Sequence, residues 1–200
     1  MLEKKEFKCL NLIVDLLKNS SKFRPLSIEK PDTHLLPDMD ETKVFALFKG
    51  SYMAKSISIG ISLNYNIVEL DTSSTVALFY VVPCKPGFAA IITRETAADR
   101  ITKEIGLKIE IEVDNKIIDD GYLINSNNRE ILTGLANEHP LETFLKSHIN
   151  DLELLHIKEE ELGFRRAFKP NEDTVKTIEA DINNLLDVAK AMEEYPKNRG

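Results

Sequence analysis

Two cysteines in 200 residues, Cys9 and Cys84, are too few for a disulfide framework. Such sparing use suits a reducing compartment, and a chain of this length buries a sizeable core without covalent staples. No apolar run reaches the roughly 20 residues that a membrane-crossing helix needs. The lysines ahead of LNLIVDLL (10–17) give the start of the chain the outline of a signal peptide. Asn11 and Asp15 interrupt that stretch, however, and no small-residue cleavage site follows it. A positive surplus is missing as well. The net charge is −7, which counts against a protein whose main task is gripping phosphates. Also absent are a G-x-S-x-G elbow, a Walker loop, a dinucleotide fingerprint and H-E-x-x-H. These absences together describe a soluble, cytoplasmic protein with no cofactor and no transmembrane segment.

What is present is a globular composition, 42% hydrophobic and 30% charged, and two clear periodicities. Residues 2–19 predict an amphipathic helix, with Phe7, Leu10, Val14 and Leu17 on one stripe. Its lysines leave peripheral membrane attachment open, but Glu3, Glu6 and Asp15 dilute them, and docking on the chain's own domain is the simpler expectation. Pro25, Pro31 and Pro37 then mark residues 20–42 as an extended connector. Residues 1–42 thus form a helix and linker, and residues 43–200 a single domain.

From residue 44 the period switches to two. VFALF (44–48) predicts a strand, KGSY a turn, and residues 56–63 its partner. In that partner Ile57, Ile59, Ile61 and Leu63 alternate with Ser56, Ser58, Gly60 and Ser62. The small face reads as an ordinary solvent face; if a ligand approached it, Ser58 and Ser62 would be the residues to meet it. TVALFYVV (75–82) lacks alternation, as a strand covered on both faces does. PCKPG turns the chain, FAAIIT (88–93) returns, TAADRITKEIG predicts a short helix, and KIEIEV (108–113) a further strand. REILTGLAN and LETFLKSHI predict helices split by Pro140, and LELLHI and LGFRRAF a hairpin around KEEE. A long helix starts at Asn171, with Val175, Ile178, Ile182, Leu185, Ala189 and Met192 on its seam. A coiled-coil dimer could be built on that seam, but packing on the domain's own sheet is preferred, so the chain is monomer or homodimer. The class is α+β, a largely antiparallel sheet flanked by helices, with the long C-terminal helix packed on it.

Little of this resembles chemistry. His34, His139, His148 and His156 show no metal-ligand spacing, and Cys84 beside Lys85 lacks a visible base. Phe164, Arg165, Arg166, Phe168 and Lys169 bring aromatic and basic residues together, but Glu159, Glu160 and Glu161 precede them and would pair with the arginines across the hairpin. No nucleic acid is expected as a partner.

The densest polar stretch is DNKIIDDGYLINSNN (114–128). With Gly121 as the glycine of a calcium loop, Lys116 and Ile118 fall where oxygen ligands belong, so that motif fails. Turn and cap chemistry accounts for the residues instead. Asp114 and Asn115 end a strand, Asp120-Gly121 makes a turn, Tyr122–Ile124 a short strand, and Asn127 caps a helix with Glu130 completing the box.

The order IITRE, a short helix ending in IG, an alternating strand and then this stretch resembles a bacterial family of domains without an assigned activity. Members often follow N-terminal membrane helices. The family pattern pairs Gly-Asp, then Phe-Asp, then an aromatic; this chain has Asp114-Asn115, Ile118-Asp119 and Tyr122, so Asp119 and Tyr122 match and the rest is replaced. The resemblance spans residues 44–195. It carries over no activity and no catalytic residue, implies work near a membrane complex, and marks Asp119 and Tyr122 as the positions to inspect. Together with the lack of a visible catalytic set, it leads to the expectation of a non-catalytic binding or protein-interaction module with an unknown protein partner. An enzyme whose site is assembled from distant acids and the serine face is the alternative.

Overall fold

The computed structural model describes residues 15, 17, 19, 24–29, 44–52, 55–63, 76–96, 111–138, 140–168 and 173–195. The fold is α+β with a largely antiparallel sheet and a long C-terminal helix packed on it. Strands are β1 (Arg24–Glu29), β2 (Val44–Tyr52), β3 (Lys55–Leu63), β4 (Val76–Pro83), β5 (Ala90–Arg94), β6 (Tyr122–Ser126), β7 (Leu152–Ile157) and β8 (Glu161–Phe168). Helices are α1 (Lys116–Asp119), α2 (Arg129–Ala136), α3 (Leu141–Ser147) and α4 (Thr174–Glu194). The chain divides into two compact units, residues 1–81 with 166–182 and residues 82–165 with 183–200. No helix among the described residues is long and apolar enough to cross a membrane.

In the first unit the strand order is β1-β2-β3-β4, each pair whose register is given running antiparallel. The alternation in β3 does what its pattern predicts: Ile57, Ile59 and Ile61 are buried, and across the ladder Tyr80 faces Ile59 and Leu78 faces Ile61. The other face departs from the expectation of a solvent face. Gly60 is buried, its partner Phe79 is 3% exposed and Ala77 1%, while Ser56 is exposed and Ser58 half-buried. Small side chains on β3 therefore make room for close packing on that side. The uninterrupted apolar run of β4 fits, since Ala77 to Tyr80 are all buried.

Two local elements differ from expectation. KGSY is strand, not turn: β2 continues to Tyr52, which pairs with Lys55, so the connection falls at positions 53 and 54, outside the described residues. The connector of 20–42 contains a strand, because Arg24–Glu29 pairs with β2. Pro25 is tolerated because β1 ends the strand order and its register shifts between Arg24 and Ser27, the edge and bulge position where proline removes no ladder bond. Of the expected N-terminal helix, residues 15, 17 and 19 are described and helical, with Leu17 fully buried between exposed Asp15 and Asn19.

In the second unit the order is β8-β7-β5-β6, with β5 central and antiparallel to both β6 and β7. Ile92, Ile124 and Leu155 share one face and are buried. Proline at the N-cap of α3 starts that helix after α2 ends, as expected from Pro140. The helix expected over 96–106 and the first half of KIEIEV lie outside the described residues. Residues 111–113 are not strand, although the Ile111 amide donates to the Ile124 carbonyl of β6 at 3.0 Å.

The long helix begins, as described, at Thr174, with the Thr177 amide bonded to the Asp173 carbonyl. Of the seam residues, Ile178, Ile182, Leu185, Ala189 and Met192 are buried within the single chain and Val175 is half-buried. Two polar ties support this within the second unit: the Cys84 thiol donates to the Ala189 carbonyl at 3.6 Å, and the Lys85 amide donates to Glu193 at 3.0 Å.

Candidate functional site

The stretch singled out by sequence folds as a latch in the second unit. Asp114 takes a positive φ of 59°, a conformation that aspartate tolerates better than most residues, and the chain reverses into the single helical turn α1. The sequence reading missed that turn, because four residues give no helical period. At the end of α1 the Asp119 carboxylate reaches back. Its Oδ1 accepts from the Val113 amide at 2.9 Å and its Oδ2 from the Asn115 amide at 3.0 Å. The Val113 carbonyl in turn accepts from the Asn137 amide nitrogen at the end of α2. Side chains thus satisfy both backbone groups of a fully buried residue, which explains why the strand pattern of KIEIEV stops short there.

Tyr122 opens β6 and is fully buried; its hydroxyl donates to the Leu145 carbonyl of α3 at 2.6 Å. Burial holds the phenol above its ordinary range, Asp151 adds to that, and Arg94 partly offsets it. A side chain at Gly121 beside it would meet the Ile149 methyl, which would have to shift. Arg94 donates to the Asn150 carbonyl at 2.7 Å, anchoring the loop that leads from α3 into β7.

That loop carries a pairing that the sequence reading passed over. His148 Nδ1 lies 3.1 Å from Asp151 Oδ1, and the ring sits 4.7 Å from both Phe144 and Phe164. The spacing of three residues was visible in HIND (148–151), but only burial between two aromatic rings distinguishes it from a surface pair. His156 lies on β7, a different element, as expected; its Nε2 is 3.4 Å from Glu161 Oε1, which Lys158 also approaches at 3.2 Å. Its ring fills the space above Gly163, so a Cβ there would have to displace it. Among the described residues no three His, Cys, Asp or Glu side chains cluster so as to hold a metal ion. His34, His139 and Cys9 lie outside the described residues.

The cap is one residue later than predicted. Asn128, not Asn127, accepts from the Ile131 amide at 3.1 Å, and the position that completes a capping box is then Ile131. Asn127 instead accepts from the Ala89 amide at 2.8 Å. The two arginines of β8 and its Phe164 are likewise committed. Phe164 is fully buried, and Arg165 pairs with Glu153 at 2.7 Å and not with Glu159–Glu161 as expected. Arg166 pairs with Asp181 at 2.8 Å in the first unit, where Tyr80 also donates to that carboxylate at 2.8 Å. These partners are 15 and 101 residues apart in the chain, so no spacing rule reveals them.

Asp119 and Tyr122 therefore stand together in the second unit, while Ser58 and Ser62 lie on β3 of the first, opposite Val81 and Ala77. No protein-family model matches the chain, and no curated protein matches it at a significant level. The crystal structure of the mycobacterial trehalose monomycolate transport factor A, TtfA, is similar to it, with a TM-score of 0.51 and 13% sequence identity over 88% of this chain and 95% of that one. At that identity the likeness is one of fold.

Proposed function

We propose that this chain is a non-catalytic interaction module that docks on a protein partner beside a bacterial membrane complex, on the cytoplasmic side. What carries the proposal is the use of its polar side chains. Asp119, Tyr122, Asn127, Asn128 and Asn137 each bond a backbone group of the chain itself, which gives them an architectural task. Meanwhile two large apolar side chains of the second unit stand in solvent, Ile91 at 50% and Ile117 at 54% exposure. The fold shared with TtfA supports a setting in transport, although the cargo in that protein's name belongs to that protein.

The test is site-specific photo-crosslinking in cells, with the reactive residue at position 91 or 117 and, as control, at exposed Asp187 on α4. A discrete adduct with one protein from position 91 or 117, and none from 187, is the expected result. The enzyme alternative wins if neither position yields an adduct and the purified chain turns over a substrate, with turnover abolished in Ser58→Ala at unchanged melting temperature.

A further inference from the structure

We draw no further inference here: the strongest candidate, the outward face of β5 and its neighbours in the second unit, where exposed Ile91 lies on the same side as part-buried Thr93, Leu123 and Leu154, carries nothing because nothing in the structure shows what covers it.

Discussion

The hydroxyl of Tyr122 shows how one buried polar atom is kept neutral and useful. It donates to the Leu145 carbonyl, so Tyr122→Phe leaves that carbonyl without this donor and should cost about 1 kcal/mol at neutral pH. A second consequence follows from ionisation. The folded phenol holds its proton above the ordinary value of 10.0, where the unfolded chain releases it. The stability that this group contributes is therefore complete below about pH 10 and is lost as pH rises through the raised value. Urea unfolding across roughly pH 9 to 11 should show wild type losing stability more steeply than Tyr122→Phe. Parallel curves would contradict the assignment. At this scale the sequence was informative about roles but not about partners. Asn and Asp in a crowded stretch announced turns and caps, yet Asn127 and Asn128 are both plausible caps by type, and only the backbone path decides between them.

Among the elements, the β7–β8 hairpin makes a sharp prediction. Gly163 faces the ring of buried His156, and a methyl group there must displace it. Gly163→Ala should destabilise the protein by about 1–3 kcal/mol, the usual cost of overpacking, despite alanine's smaller backbone entropy loss. The double variant with His156→Ala should recover part of that loss in the same denaturant titration. In the first unit, Asp181 on α4 receives Tyr80 and Arg166 while itself 3% exposed. Asp181→Ala should cost roughly 3–5 kcal/mol, because it leaves an arginine charge largely buried without this carboxylate. Calorimetric melting would check it. The elements themselves were largely legible, since strict alternation in β3 and the seam of α4 are strong periodic signals. β1 was not, because proline reads as a breaker until the strand is known to be at an edge with a bulge. The end of KIEIEV was misread because alternation says nothing of where side chains replace a neighbouring strand.

For the whole molecule, the sequence was enough to place the chain in the α+β class with a long terminal helix, because class follows from the order of periodic segments. It could not place Arg166 near Asp181, or His148 between Phe144 and Phe164, because such contacts arise only from tertiary packing. The seam of α4 is already covered within one chain, which removes the surface a coiled coil would use. Sedimentation velocity should accordingly give no association that Leu185→Glu abolishes while the remaining protein stays folded. The polar stretch at 114–128 builds the fold through its side-chain bonds to backbone groups. Denaturant unfolding of Asp119→Ala tests this most directly, since two backbone amides, one from fully buried Val113, lose a charged acceptor. The predicted result is a loss of roughly 2 kcal/mol or more. An unfolding free energy within about 0.5 kcal/mol of wild type, together with loss of the crosslinked partner, would make Asp119 a contact residue and contradict the claim.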